Sequence, residues 1–210
     1  MTKGFDANAD LTRFAACLRT AGYDFVCRYY NVNNPHKNLT LAEAKALGAA
    51  GLRIVTVWEN GFPDHASYFS HAKGVFDGTA AYHFAEQTIT QPPDTPIYFA
   101  VDFDASQKDV TGVITDYFHG IIDAFNTISK QAPIYTVGVY GSGLTCSSLL
   151  KAGLVQFTWL AQSMGFSGSK TFKNFNIKQL LEKRQCTAIQ GGIAGDPDTG
   201  KGKEGSFTVE

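Results

Sequence analysis

The sequence predicts a single small (β/α)8 barrel, of TIM type, that spans residues 1–210 as one domain. Strand-like and helix-like segments alternate along the chain, which implies parallel strands joined by right-handed helical crossovers. Seven clear strands and a weaker, irregular eighth are enough to close such a barrel. Hydrophobic residues make up 44% of the chain and no Pro/Gly/Ser-rich linker divides it, so one sizeable core is expected. An open doubly wound sheet is the alternative.

The predicted strands are short runs of β-branched and aromatic residues bounded by turn formers. In order they are Lys3–Ala7, Phe25–Tyr30, Arg53–Glu59, Ile97–Asp104, Ile134–Gly141, Phe157–Ser163, Thr187–Gln190 and a weak eighth near Gly192–Asp198. The predicted helices have apolar residues at helical spacing and begin or end at capping residues. They run from Asp10 to Gly22, from Thr40 (with Glu43, a capping box) to Gly51, from Val110 to Phe125, over Leu144–Leu150 and over Ile177–Lys183.

The stretch Ala80–Ala85 is ambiguous, because its Tyr-His-Phe run suits the end of a strand. Its small and apolar residues nevertheless repeat at helical spacing, and alanine is a poor strand former. A strand here would also leave too short a crossover before the strand that starts at Ile97. We therefore predict a helix.

Charge and hydropathy exclude several partners. Eighteen Lys and Arg residues nearly balance nineteen Asp and Glu residues, which argues against bulk electrostatic binding to nucleic acid or anionic lipid. No apolar run approaches the roughly 18–20 residues of a membrane span, and none at the N-terminus has the character of a signal peptide. The chain is therefore expected to be made in the cytoplasm, with a non-Sec route if it acts in the periplasm or cell wall. The four cysteines form no CxxC pair and are expected to be buried free thiols.

Acidic residues fall at the ends of the predicted strands. Asp6 ends the first strand, Glu59 the third, and Asp102 and Asp104 the fourth. The carboxyl ends of barrel strands open into one mouth, where catalytic groups collect. Alternation along Ile97–Asp104 places both aspartates on the lumen face. Four acids are therefore expected to converge at the mouth.

Three uses of such a cluster remain open. Carboxyls held close in a dry cleft separate into a protonated donor and an ionised partner, as glycosidic bond cleavage requires. Oxygen ligands could instead hold Mg²⁺ or Ca²⁺. Finally, Arg28, predicted to share a lumen-facing strand surface with Tyr30, could neutralise one or two of the acids, with helix caps and loops satisfying others.

Further residues near strand ends are candidates for substrate binding. Aromatic rings could stack on sugars, and polar groups could hydrogen-bond hydroxyls, although each could also be a core or rim residue. The candidate binding set is Arg28, Tyr30, Trp58, Tyr140, Trp159, Gln162, Gln190 and Asp198. The five histidines show no metal-ligand spacing, and no metal or cofactor is predicted.

Five segments together resemble a known family. They are Gly4–Asp6, Trp58–Gly61, Ile97–Asp104, Gly138–Gly141 and Trp159–Gln162. They resemble the glycoside-hydrolase-like family catalogued as a domain of unknown function, which is itself similar to the glycoside hydrolase family 25 lysozymes. The resemblance covers roughly residues 3 to 198, and its most specific part is the run Ile-Tyr-Phe-Ala-Val-Asp.

The resemblance implies a β/α barrel that hydrolyses the glycan strand of peptidoglycan. Asp6 matches the acid after the first strand of the lysozymes, and Asp102 and Asp104 match their Asp-x-Glu pair. Asp104 replaces the glutamate expected as general acid and is one methylene shorter. Asp104 or Glu59 is accordingly the expected proton donor, with Asp102 and Asp6 as ionised partners.

The predicted function is thus a muramidase-like hydrolase whose partner is peptidoglycan or another polysaccharide. A phage-type lysin or an injected antibacterial effector would reach the wall without a signal peptide, and an effector would have an inhibitor or immunity protein as a second partner. The alternatives are a catalytically silent barrel that binds glycan through Trp58, Tyr140 and Trp159, or a divalent-metal site built from the same acids.

Overall fold

In the computed structural model, which describes residues 1–130 and 135–209, eight strands form a closed barrel in chain order. They are β1 (Thr2–Asp6), β2 (Phe25–Tyr30), β3 (Arg53–Trp58), β4 (Pro96–Ala100), β5 (Thr136–Gly141), β6 (Phe157–Leu160), β7 (Ile177–Gln179) and β8 (Asp196–Gly200). Neighbouring strands from β1 to β7 are parallel, whereas β8 is antiparallel to both β7 and β1. The predicted barrel is confirmed, with its irregular last strand reversed.

Helices surround this barrel. They are α1 (Ala15–Thr20), α2 (Leu41–Ala49), α3 (His71–His83), α4 (Gln107–Asp109), α5 (Thr115–Ile128) and α6 (Gly143–Lys151), with 3-10 turns at Thr12–Phe14, Pro35–Lys37 and Ala66–Tyr68. Helix α3 continues as π-helical turns over Phe84–Ile89, so the helix predicted over Ala80–Ala85 is confirmed. π-helical turns over Val110–Ile114 join α4 to α5, with non-helical backbone at Gly112.

The capping box predicted at α2 is half formed. The Thr40 hydroxyl accepts a hydrogen bond from the Glu43 backbone N–H at 3.1 Å, as predicted. The Glu43 carboxylate instead turns inward, where it pairs with Arg28 and accepts from the Leu11 N–H. Glu43 of α2, predicted to be a capping residue, therefore links α2 to Arg28 of β2 and to the backbone at Leu11.

Several strands are shorter than the sequence predicts. Strand β4 ends at Ala100, four residues before the predicted end at Asp104, and β6 ends at Leu160. The fifth strand was predicted to begin at Ile134, which lies outside the described residues, and β5 begins at Thr136. These ends matter because residues beyond a strand do not follow its alternation between lumen and outer face.

Two predictions in the last quarter of the chain are wrong. Residues 177–183 do not form a helix, because Ile177–Gln179 pairs with β6 and β8 as β7. Residues 187–190 do not form a strand. The segment between β7 and β8 is a long hairpin, residues 180–195, whose arms meet through backbone hydrogen bonds between Gln185 and Ile193. A hairpin returns the chain in the opposite direction, which is why β8 is antiparallel.

The barrel wall separates two apolar layers. The outer layer packs strands against helices, while the lumen is filled mainly by aromatic and aliphatic side chains. The lumen residues are Phe25, Cys27, Val55, Val57, Tyr98, Ala100, Trp159 and Ile177, with Tyr29, Tyr140 and Phe157 partly buried beside them. Gly138 leaves room for this filling, because a Cβ there would lie 2.8 Å from the Tyr98 ring.

The cysteines divide into two kinds. Cys27 and Cys146 are buried thiols, as predicted. The prediction is wrong for Cys17 and Cys186, which form a disulfide between α1 and the 180–195 hairpin. Their separation in sequence is 169 residues, so nothing local in the sequence indicates the pairing. Disulfides of this kind persist mainly in oxidising compartments.

None of the helices within residues 1–130 and 135–209 is long and apolar enough to cross a membrane.

Candidate active site

A polar pocket of about 200 Å³ opens at the carboxyl ends of the parallel strands. It is lined by Asp6, Tyr29, Val57, Glu59, Ala100, Asp102, Tyr140, Trp159, Gln162, Ser163, Gln179 and Asp196. Four of these residues are acids, and they come from the ends of β1, β3 and β4 and from the start of the reversed strand β8. The structure therefore brings together three of the four predicted acids, Asp6, Glu59 and Asp102, and adds Asp196.

Asp6 is the most buried acid of the pocket, with 4% of its surface exposed. Its Oδ2 accepts hydrogen bonds from the Tyr29 hydroxyl and from Gln179 Nε2, both at 3.1 Å. Its Oδ1 is buried and has no hydrogen-bond partner among the described residues. Burial raises the pKa of Asp6 from 3.8 to about 7, with the charges of Asp196 and Glu59 adding to the rise and the Tyr29 hydrogen bond opposing it.

Gln179 connects the groups around Asp6. Its Nε2 donates to Asp6 and to Asp196 Oδ2, the latter at 2.9 Å. Its Oε1 accepts from the Tyr140 hydroxyl at 2.8 Å and from the Gln162 backbone N–H at 3.3 Å. A buried amide with both ends satisfied has a fixed orientation, so Gln179 holds two carboxyls and a tyrosine in place.

Glu59, which follows β3, lies in the pocket beside a lysine. Lys37 Nζ is 2.9 Å from Glu59 Oε1, and both side chains are about one quarter exposed. Burial raises the pKa of Glu59, while the hydrogen bond and the charge of Lys37 pull it back down. The same ammonium lies 5.5 Å from the centre of the Tyr29 ring, so it is also close to a neighbour of Asp6.

Asp102 and Asp196 form the more open part of the acid cluster. Asp102 is exposed at the rim, yet the protein on its inner side and the charge of Asp64 raise its pKa. The pKa of Asp196 is raised by partial burial and by the charge of Glu182. The four pocket acids therefore share one tendency, which is to hold protons at higher pH than ordinary carboxyls.

Asp198 is buried in the barrel lumen and does not belong to the pocket lining. Only 1% of its surface is exposed, and it accepts from Trp159 Nε1 at 3.0 Å and from the Cys27 thiol at 3.7 Å. Burial, followed by the charge of Asp6, raises the pKa of Asp198 well above its usual range. Asp198 was predicted to bind substrate, but it does not line the pocket. It fastens Trp159, which does.

Three predicted site residues point to the outer layer of the barrel and away from the pocket. Arg28 and Tyr30 point outward from β2: Arg28 is fully buried against Glu43, and the Tyr30 hydroxyl donates to Gln91 Oε1 at 2.8 Å. Trp58 packs in the outer core from β3. The predicted lumen orientation of Arg28 is therefore wrong. Both faces of a parallel barrel strand are buried, so the presence of large side chains does not reveal which face is the lumen.

Asp104 and Gln190 lie away from the pocket. Asp104 follows the end of β4, is exposed, and accepts from the Ser167 backbone N–H at 2.6 Å, so its predicted position on the lumen face is wrong. Gln190 is an exposed residue of the 180–195 hairpin that bonds to Arg13, because the strand predicted to carry it does not form. Tyr140, Trp159 and Gln162 do line the pocket.

Sequence reasoning missed Tyr29, Gln179 and Asp196. Tyr29 is two residues after Cys27 on β2 and therefore points to the same face, which identifies it as a lumen residue once Cys27 is known to face the lumen. Gln179 was hidden inside a predicted helix, and Asp196 in the weakest predicted strand. Within the described residues, no three His, Cys, Asp or Glu side chains are grouped so as to hold a metal ion.

Two curated proteins of Bacillus subtilis (strain 168) are similar to this chain. The protein YbfG is 37% identical over 180 residues, which is 80% of this chain and 24% of YbfG. FadG is 31% identical over 160 residues, 74% of this chain and 27% of FadG. Both are described as uncharacterized. The chain spans about a quarter of the length of these curated relatives.

Solved structures share the fold at low sequence identity. The Tat-secreted protein Rv2525c of Mycobacterium tuberculosis, solved with L-tartrate, superposes with a TM-score of 0.78 at 21% identity, covering 98% of both chains. A family 25 glycosyl hydrolase of Bacillus anthracis superposes with a TM-score of 0.53 at 13% identity, covering 97% of this chain and 90% of that one. The autolysin LytC of Streptococcus pneumoniae, solved with a synthetic peptidoglycan ligand, superposes with a TM-score of 0.62 at 13% identity. The match covers 94% of this chain and 46% of LytC.

The sequence model of the family described as "Rv2525c-like, glycoside hydrolase-like domain" matches residues 16–190. That range extends from α1 to the 180–195 hairpin and so includes most of the barrel. The chain therefore belongs to the Rv2525c-like family of glycoside hydrolase-like domains.

Proposed function

We propose that this protein hydrolyses a glycosidic bond in the pocket at the barrel mouth, with Asp6 as the proton donor. The observation that carries the proposal is the buried Asp6 carboxyl in the pocket lining, whose Oδ1 has no hydrogen-bond partner among the described residues. Burial raises the pKa of Asp6 to about 7, which favours the protonated form near neutral pH. Because Oδ2 already accepts two hydrogen bonds, the proton is expected on Oδ1, the oxygen without a partner among the described residues.

Glu59 and Asp102 supply the negative charge in this proposal. Glycoside hydrolysis needs one carboxylic acid to protonate the leaving oxygen and one carboxylate to stabilise the oxocarbenium charge or to direct the attacking group. The ion pair with Lys37 favours the ionised form of Glu59, and the charge of Lys37 opposes the rise in the pKa of Asp102. The sequence predicts Asp104 or Glu59 as the donor. Asp6 takes that role in this proposal, because Asp104 is outside the pocket lining and Glu59 is paired with Lys37.

The rest of the pocket suits a sugar. The rings of Tyr140 and Trp159 pack edge to face with centroids 5.1 Å apart, and both border the pocket. Gln162 adds an amide that can bond to hydroxyl groups. Aromatic surfaces beside a few polar groups are typical of sites that bind sugar rings through their apolar faces.

Peptidoglycan is the proposed substrate, and the proposed site of action is outside the cytoplasm. Similarity to lysozyme-type barrels, one of them solved with a peptidoglycan ligand, supports the substrate. The Cys17–Cys186 disulfide supports export, and so does similarity to the mycobacterial protein Rv2525c, which is Tat-secreted.

The test is release of reducing ends from purified peptidoglycan. We expect the wild type to release them and Asp6→Asn to lose at least about a hundredfold in rate, the usual scale for a general acid. Asp104→Asn is the matched control and should keep wild-type activity, because its carboxylate bonds to a loop outside the pocket.

Two results would contradict the proposal. Loss of activity in Asp104→Asn without a loss in Asp6→Asn would return the donor role to Asp104. Binding of glycan by the wild type without release of reducing ends would favour the silent glycan-binding barrel.

A further inference from the structure

A second hollow, which we call the side hollow, adjoins the catalytic pocket. Its volume is about 270 Å³, and its walls include Asn8, Glu182, Gly195 and Asp196. It shares Asp6, Tyr29 and Asp196 with the catalytic pocket, so these three side chains form the divide between the two cavities. A ligand longer than one sugar ring could therefore lie across the divide, with Asp6 near its middle.

The walls of the side hollow carry negative charge. Three of its eight lining residues are acids, and no Lys or Arg is found among the described residues that line either cavity. The Arg28 guanidinium donates to the carbonyl oxygen of Ala7, a residue of this wall, but it is paired with Glu43 in the outer layer. The ammonium of Lys37 is paired with Glu59. Glu182 and Asp196 both line the side hollow, so a ligand in it faces two carboxyl groups. Neighbouring carboxylates are stabilised by a cation bound between them.

The divide also contains the unpaired oxygen of Asp6, to which the proposed function assigns the donated proton. Only 4% of the surface of Asp6 is exposed, and its Oδ1 lacks a hydrogen-bond partner within residues 1–130 and 135–209. Buried polar atoms in native proteins are nearly always paired, and exceptions are concentrated at functional sites. An acid cluster with every oxygen satisfied would need no ligand, whereas this one has an unpaired oxygen between two cavities.

We propose that the side hollow binds the ammonium group of a hexosamine whose amine is free, with Glu182 and Asp196 as its partners. This inference rests on the proposed function and specifies its substrate class: a glycan that carries N-deacetylated amino sugars rather than one that is fully N-acetylated. An acetamido group has no charge and gains nothing from the paired carboxylates, and an anionic ligand is repelled by them. Asp6 remains the proton donor for the bond that spans the divide.

The test is calorimetric titration of the full chain with two probes at about pH 6, where free amines are largely protonated. One probe is a glucosamine tetramer and the other is the N-acetylglucosamine tetramer. We expect the glucosamine tetramer to bind at least tenfold more tightly and to weaken as salt is added. Glu182→Gln should reduce that preference about threefold, the effect of removing one exposed carboxylate. Glu86→Gln, an exposed glutamate of the outer helices, is the matched control and should not change it.

L-tartrate, the ligand solved with the mycobacterial relative, serves as an anionic probe. It should not displace the glucosamine tetramer from this chain. Equal affinity for the two tetramers, a preference that Glu182→Gln leaves intact, or displacement by tartrate would each overturn the inference. Hydrolysis of N-acetylated peptidoglycan without any preference for free amines would overturn the inference alone. A clear preference with no hydrolysis of any glycan would overturn the proposed function alone.

Discussion

Two buried acids on opposite sides of the barrel wall have opposite surroundings. Glu43, in the outer layer, is 1% exposed, and its carboxylate accepts three hydrogen bonds, two of them from the Arg28 guanidinium. Asp6, in the lumen, is 4% exposed and has no cation as hydrogen-bond partner within the described chain. The outer acid is neutralised where it lies, whereas the inner acid lowers its charge by holding a proton. Burial alone therefore does not distinguish a carboxyl with a structural role from one suited to proton transfer. The hydrogen-bond partners distinguish them.

The largest effect is expected from breaking the outer pair. Arg28→Met leaves the Glu43 carboxylate buried without its cation, and the loss of one partner from a buried pair costs about 3–5 kcal/mol of the free energy of unfolding. Urea unfolding measures this loss. Arg19→Met, which breaks the exposed pair with Asp24, is the control and should cost less than about 1 kcal/mol.

A cost near that of the control would show that the outer pair is not a structural anchor. Combining Arg28→Met with Glu43→Leu should recover much of the stability, because the uncompensated charge is then removed as well.

Replacing Asp6, the acid in the lumen, should raise the free energy of unfolding at neutral and higher pH, whereas replacing Arg28 lowers it. A carboxyl whose pKa rises from 3.8 to about 7 on folding binds more protons in the folded state than in the unfolded one. Stability therefore falls as pH rises between those values, by up to about 4 kcal/mol. Asp6→Asn removes this decline, so the variant should be more stable than the wild type above about pH 7 while losing activity.

Unfolding free energies measured from about pH 4 to pH 9 check this prediction. Asp116→Asn, an exposed aspartate of α5, is the matched control and should leave the decline in place. If Asp6→Asn keeps the same pH dependence as the wild type, the raised pKa does not belong to Asp6.

The smallest effect is expected from replacing Lys37, the cation at the barrel mouth, and it is a shift in the pH profile of activity. Lys37→Met removes the group that favours the ionised form of Glu59, so the pKa of Glu59 should rise further. The acidic limb of the profile of kcat/KM against pH should then move upward by roughly half to one unit, and carboxyl NMR titration should show the same shift.

Lys37→Arg should restore the wild-type profile because it keeps the positive charge, and Lys45→Met, on the exposed side of α2, should not alter it. An unchanged limb in Lys37→Met would mean that Glu59 does not titrate in that range.

The first half of the barrel could largely be predicted from the sequence, because its signals are local. The ends of the predicted strands located Asp6, Glu59 and Asp102, all of which line the pocket. The same reasoning failed for Arg28 on β2. Its neighbours on both faces are apolar or aromatic, so no pattern marks the lumen face, and the polar residue was assigned to the wrong side.

The last quarter could not be predicted because its structure depends on distant partners. The spacing of Ile177, Leu180 and Leu181 fits a helix, yet pairing with β6 and β8 imposes a strand, and Leu181 is left exposed. Tertiary pairing of this kind overrides local propensity. The Cys17–Cys186 bond joins residues far apart in the chain, which no local pattern records.

The reversed eighth strand has a consequence for how this barrel can vary. A parallel strand must be reached by a crossover that packs on the outer wall, whereas the 180–195 hairpin leaves the barrel at Gln179 and re-enters it at Asp196. It supplies one wall of the mouth and is tethered to α1 at Cys186. Its length and side chains can therefore change without moving any strand. The hairpin is thus the part of the barrel where the proposed glycan preference can change while the proposed proton donor stays in place.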